Sequence, residues 1–222
     1  MDKADAKEAM TIVQRVLDNL SKTIVMAGRI GADARSVLGS TRLNAYDMLR
    51  SDQIGPPLDQ CFELCRLAGA TFWEIEQVRV LTGLEKPVTL GATLIVNTCV
   101  EFCLATEGRI ISDMTFVSRT DVENVQSTIQ TPFNDAEELA ADDMDQEAYM
   151  ALVKLHAAIT NHLVTTARPL PRVLNYAFAS PQPSLTLAYR LYSDASRADE
   201  VRDENKIVHP AFCPYQGQAL SA

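Results

Sequence analysis

The sequence predicts a mainly α protein: an antiparallel helical bundle over residues 1–180, then a small α+β module over residues 181–222. Three observations carry this. Apolar residues recur at three- and four-residue spacing through long stretches of the first 180 positions. Helix breakers divide those stretches at Gly28, Gly55-Pro56-Pro57 and Gly83. Near the end the period changes from about 3.6 to 2, between Leu185 and Tyr192.

The first helix is predicted from Ala4 to Ala27, with Ile12, Val13, Val16, Leu17, Leu20 and Ile24 as its stripe and Gly28 as its end. Residues 31–54 read as two short helices separated at Gly39-Ser40. Pro56 and Pro57 are placed to start the next helix, predicted as one piece from Leu58 to Leu81. A further helix covers Thr89 to Glu107 and stops at Gly108. Two long helices joined by a short loop are expected to lie antiparallel. Thr120 and Glu123 form a T-x-x-E capping box, which starts a helix at Asp121 that kinks or restarts at Thr131-Pro132. Tyr149, Leu152, His156, Ile159 and Leu163 mark the last long helix, and Leu170 to Phe178 reads as a connector with some helical character.

In the terminal module, Leu185, Leu187, Tyr189 and Leu191 alternate with Thr186, Ala188, Arg190 and Tyr192, the pattern of a half-buried strand. Ser193 and Asp194 turn the chain into a helix from Ala195 to Glu204, and Asn205 suits a left-handed helix end. His209-Pro210 stops any continuation. Pro214 to Gly217 is a turn, and Gln218 to Ala222 is expected as a very short return strand with an open edge.

Composition is that of an ordinary globular chain, 47% hydrophobic and 22% charged. The formal charge of −9 is local, because ten acidic residues between Asp113 and Glu147 face a single basic one, Arg119. Such a band repels phosphate backbones, so nucleic acid is not an expected partner. It reads as a solvated helix face or as a docking surface for a basic partner, with Glu137, Glu138, Asp142 and Asp143 as the candidates. The opening MDKADAKEAM has no basic-then-apolar signal pattern. The most apolar run, Leu90 to Ala105, is interrupted by Asn97 and Glu101 and reads as too short for a bilayer. The expectation is a protein made and kept in a cytoplasm, without a membrane partner. Five cysteines, an odd number, fit reduced thiols.

Few constellations suggest chemistry. Cys61-x-x-x-Cys65 and Cys99-x-x-x-Cys103 place two thiols on each of two neighbouring helices, a set suited to zinc or to two disulfides. The apolar neighbours Phe62, Leu64 and Phe102 favour free core thiols instead. His156 lies on an apolar helix face, where a satisfied core or boundary histidine is the expectation. Asp142, Asp143, Asp145 and Glu147 lack the glycine and the distal Glu of a calcium loop. There is no Gly-rich phosphate loop, no Rossmann fingerprint and no G-x-S-x-G. The sequence therefore predicts no catalytic residue, no metal and no cofactor.

The order Asn205-x-Ile207-x-x-Pro210, Phe212, then Gly217-Gln218-x-Leu220 resembles a LysM module. More narrowly, LAYRLYSDASRADEVRDENKIVHPAF resembles the C-terminal end of the DNA-circularisation protein family of Mu-like phages. GRIISDMTFVSRTDVENVQ, DAEELAADDMDQEAYMALVKLHAAI and ARPLPRVLNY follow that family's order, so the resemblance covers about residues 90–222. Long members of the family carry a further N-terminal β-rich domain that this chain does not match. The resemblance implies a structural component of a phage or phage-derived tail, at the baseplate or hub, near tail tube and tape measure. It implies other tail proteins as partners, several copies in a symmetric assembly, and a location in the virion after assembly in the host cytoplasm. The candidates for contact there are Leu185, Tyr189, Tyr192, Arg197, Glu200, Arg202, Asn205, Ile207, Phe212 and Tyr215. Two other roles remain open at this point: a peptidoglycan-binding adaptor, and a DNA-end-joining factor.

Overall fold

The structure, a computed structural model, describes residues 2–221. The chain is mainly α with one small antiparallel sheet. It divides into two compact units, residues 1–114 with 129–159, and residues 115–128 with 160–222.

In the first unit, α1 (Lys3–Thr23) starts at Asp2, whose carboxylate accepts from the Lys3 amide, and buries the predicted stripe from Ile12 to Leu20. Next, α2 (Gly28–Arg50) is a single helix rather than two. Gly39 lies on its exposed side, where an added Cβ would meet nothing. One interior glycine costs roughly 1 kcal/mol against alanine. That is too little to split a helix whose Ala34, Leu38, Ala45 and Leu49 are all buried.

The stretch predicted as one helix from Leu58 to Leu81 is two, α3 (Gly55–Leu67) and α4 (Phe72–Gly83). Gly69 takes a left-handed φ of 100° between them, and the Ala70 amide reaches back to the Cys65 carbonyl. Thr71 and Glu74 then form a reciprocal capping box. This T-x-x-E signal is as legible as the one at Thr120, and the continuous apolar pattern across Leu67 to Phe72 masked it.

Helix α5 (Leu90–Asp113) is the most enclosed, packing against α1, α3 and α4. It runs through Gly108, which does not stop it. A Cβ there would lie 2.9 Å from Ile159 Cδ1 and 3.2 Å from Leu155 Cδ1, so glycine admits these two side chains. At 24 residues α5 is long and apolar enough to cross a membrane by length and composition, unlike the shorter run read from the sequence. Half of its most apolar window is buried inside the protein.

Two helices lie partly in each unit, α6 (Arg119–Asp142) and α7 (Gln146–Ala167). The cap of α6 is Ser118 with Asp121, not Thr120 with Glu123: the Asp121 amide donates to Ser118 Oγ at 3.2 Å, and the Ser118 amide returns a bond to Asp121 at 3.0 Å. Pro132 sits inside the helix, which continues through it to Asp142.

The second unit ends in a strand–helix–helix–strand module. Strand β1 (Val173–Ala177) stands where a helical connector was expected, and pairs antiparallel with β2 (Gln216–Leu220) in the register Asn175 to Gln218. The expected strand over Leu185–Tyr192 is instead α8 (Ser184–Tyr192), closed by Ser193 in the left-handed region. The apolar residues fit both periods, and the helical one wins because Leu187 and Ala188, at i+3 and i+4 from Ser184, reach the module core together. A 3₁₀ turn at Ala195–Arg197 leads into α9 (Ala198–Glu204). Here Lys206, not Asn205, takes the left-handed conformation. The return strand begins at Gln216, inside the expected turn, and Ala222, expected at its end, lies outside the described residues.

Gly39→Ala should raise stability by about 0.5–1 kcal/mol, since the site is helical and open. Chemical denaturation measures this, and a loss would mean that the position is not an exposed helix interior.

Candidate functional site

The C-terminal module closes on a small core of Tyr176, Leu187, Ala188, Ala198, Val201, Cys213 and Ala219, with Phe178, Leu191, Tyr192 and Ile207 packed around it. Its closure depends on Asn205. The Asn205 side-chain amide donates to the Gln218 carbonyl at 2.6 Å and to the Val201 carbonyl at 2.8 Å, and its oxygen accepts from the Gln218 amide at 2.7 Å. The carboxamide thus satisfies both outward backbone groups of Gln218, as a third strand would. Tyr192 Oη accepts from the Leu220 amide at 3.1 Å and covers the next outward position. The open edge expected on the last strand is therefore largely occupied from within the chain. Asn175, opposite Gln218 in a pair that does not exchange bonds across the sheet, turns its own backbone groups outward, so the less protected edge is that of β1.

Gly217 fits the same junction. A Cβ there would fall within 3 Å of the Asn205 carboxamide oxygen and of the Tyr176 hydroxyl, so only glycine admits the clamp. Asn205 and Gly217 act together, which gives a physical reason for their joint appearance in the sequence pattern.

The predicted contact residues divide into three groups. Leu185, Tyr189, Phe212 and Tyr215 are 51–74% exposed and stand outside the core. Tyr192, Asn205 and Ile207 instead build the module. Several of the charges on and beside α9 pair locally, although the buried Arg202 Nε has no partner. Arg197 forks onto Glu200 at 2.6 and 3.0 Å and lies 3.7 Å above the Tyr192 ring, while Arg202 pairs with Asp199 at 2.7 Å. Arg197, Glu200 and Arg202 are therefore engaged within the module.

Of the four acidic candidates, Glu138, Asp142 and Asp143 are exposed. Glu137 is not free: its carboxylate meets His156 Nδ1 at 2.9 Å, and the His156 ring stacks on the buried Phe133 at 4.9 Å between centroids. Sequence reading placed His156 correctly as a core or boundary histidine but missed its partner, nineteen residues away.

All five cysteines are free and buried. Burial pushes the thiols of Cys65 and Cys99 up to about 12, and those of Cys61, Cys103 and Cys213 upward as well. They are protonated at neutral pH and therefore poor nucleophiles. Cys61 lies 3.5 Å from Thr41 Oγ1, whereas Cys103 faces Glu107, so the two pairs occupy different surroundings. Among the described residues, no three His, Cys, Asp or Glu side chains are grouped to hold a metal ion.

One buried group was not visible in the sequence reading. Glu107 is fully buried on α5, where no donor reaches its carboxylate oxygens and the Glu76 carboxylate is the group that can accept a hydrogen bond from its protonated form. Burial pushes its carboxyl well above the usual range, the like charge of Glu76 pushes it further, and Arg79 opposes both. Arg79 is itself committed to Glu76 through two bonds of 2.7 Å. Glu107 is thus held as the neutral acid. Only its position on the inward side of α5, beside Cys103 and Leu104, hints at this from sequence.

Compared with protein-family models and with curated proteins, the chain matches none.

Asn205→Ala should destabilise the protein by about 1 kcal/mol and accelerate hydrogen exchange at the Gln218 amide. Unchanged exchange would show that the clamp does not hold the strand. A second expectation concerns pH. The folded pKa of Glu107 lies above its unfolded value, so its contribution is complete below the ordinary Glu range near 4.3 and is lost as pH rises toward the folded value. Glu107→Gln cannot ionise, so its stability relative to the parent should grow from pH 4 to pH 8. Thermal denaturation across that range, with a constant difference, would refute the buried acid.

Proposed function

We propose that the protein is a structural component of a phage or phage-derived tail, at the baseplate or hub near tail tube and tape measure. It acts by protein–protein contact, with other tail proteins as partners and several copies in a symmetric assembly. The observation that carries this reading is the exposure of Leu185, Tyr189, Phe212 and Tyr215 on a module whose core is already complete. Large apolar side chains left outside a closed core are the usual material of an interface. Two further points support it. The strand–helix–helix–strand order is compatible with the LysM-like resemblance of residues 205–220. The stretches GRIISDMTFVSRTDVENVQ, DAEELAADDMDQEAYMALVKLHAAI and ARPLPRVLNY resemble the tail family in its own order, from about residue 90 onward.

The chemistry of the chain is consistent with such a role. Its thiols are protonated and enclosed, and its histidine-carboxylate pair stacks against a buried phenylalanine rather than lining an open cleft. The acidic stretch opposes DNA-end joining, because phosphate binding requires cations to displace counterions.

A peptidoglycan-binding adaptor is the second reading, and one observation favours it. A shallow hollow on the sheet is lined by Asn175, Gln216 and Gln218, while Tyr176 keeps its ring in the module core. Amide side chains suit sugar hydroxyls.

Replacing Leu185, Tyr189, Phe212 and Tyr215 together by Ser should leave the circular dichroism and Tm nearly unchanged, because these side chains are exposed. Incorporation into assembled tails should be lost. Normal incorporation overturns the tail reading, and retention on purified cell wall by both parent and variant supports the adaptor.

A further inference from the structure

A cleft in the first unit has the shape and charge of a receptor for one side chain. It lies between α5 and the end of α6, with Leu94, Val100 and Leu139 among its apolar walls and Glu101, Asp143 and Asp145 at its rim. Its volume of about 210 Å³ falls below the roughly 300–1,000 Å³ of sites for drug-sized ligands. The space suits one long side chain.

The rim lacks a counter-charge. Glu101 is half-buried, and burial followed by the nearby Asp145 and Asp143 raises its carboxyl above the usual range. No Lys, Arg or His forms an ion pair with Glu101, Asp143 or Asp145 among the described residues. Other partly buried carboxylates of the same unit are paired, as in Arg79 with Glu76 and Arg66 with Glu63, so the half-buried Glu101 stands out among them. The cleft therefore combines an apolar interior with an unanswered demand for positive charge.

We propose that this cleft receives an arginine side chain of a partner protein, its aliphatic stem against Leu94, Val100 and Leu139 and its guanidinium among Glu101, Asp143 and Asp145. Arginine fits both halves of the site. Its stem covers apolar surface while its head stays at the polar rim. Its planar fork can engage two carboxylates at once, which a lysine ammonium does less well. A guanidinium among the three acids also relieves their mutual repulsion, so docking removes a cost already present in the free protein. The cleft is built from residues 94–148, separate in sequence from the C-terminal module. Tail incorporation of the Ser variant above therefore neither supports nor opposes it.

The test uses the full chain, isotope-labelled for NMR, and two blocked ten-residue peptides. One carries a single Arg among Ala and Leu, and the other has norleucine in its place. The Arg peptide should shift the amides of Leu94, Glu101, Leu139 and Asp145. The double variant E101Q/D145N should weaken that binding about fivefold, the effect of losing roughly 1 kcal/mol of ion pairing. Asn at 145 still caps α7 in place of the aspartate that accepts from the Ala148 amide, so the helix start is kept. Equal binding of the norleucine peptide overturns the proposal. So do shifts scattered over the acidic stretch from Asp113 to Glu147, or none. Spermidine binding as tightly at the same four residues would mark a site for free polyamines, and would overturn the protein partner.

Discussion

The burial of α5 is the constraint on which the first unit depends. This helix presents apolar residues on several sides, and α1, α3 and α4 each take one of them. Burial at roughly 25 cal/mol per Å² of apolar surface is the main term that holds such a helix in place. It also explains the oddities along α5. Cys99 and Cys103 are enclosed and stay protonated, and Gly108 admits Ile159 and Leu155. Glu107 is carried into the interior because its neighbours on the helix belong there, and it remains by keeping its proton. A charged carboxylate in the same place would be far more costly than a neutral one.

The C-terminal module solves a different problem. A sheet of two short strands is marginal by itself, and here two side chains extend it. The Asn205 carboxamide answers both outward groups of Gln218, and Tyr192 answers the Leu220 amide. The same contacts decide which surfaces are left for other molecules. They protect the edge of β2, leave β1 the more open strand, and turn Leu185, Tyr189, Phe212 and Tyr215 outward. Charges that look available in the sequence are consumed locally, as with Arg197 on Glu200 and Glu137 on His156.

Three surfaces thus differ in character: an exposed apolar set on the module, an amide-lined hollow on its sheet, and an acidic cleft beside α5. The first suits burial against another protein and the last suits a single cation. Contact through apolar side chains supplies most of the affinity in such pairings, while charge sets partner and orientation.

The sequence by itself determined the helical class, the stripe of α1, the presence of α7 and the position of α9, because periodic apolar residues and local breakers act within a few residues. It also made the acidic stretch and the Asn205–Gly217 pattern visible, though not their roles. Only the tertiary structure decided whether Leu185–Tyr192 is helix or strand, since a short stretch with apolar positions compatible with both periods is settled by what Leu187 and Ala188 pack against. The same holds for β1, whose five residues become a strand by pairing with β2 forty residues later. Gly39 and Gly108 read alike as breakers, yet one faces open space and the other admits two side chains from α7. The neutral state of Glu107 and the grouping of acids around the cleft emerged only in the structure, because a carboxyl's state depends on its enclosure and its neighbours in space, and neither is a property of residues adjacent in the chain.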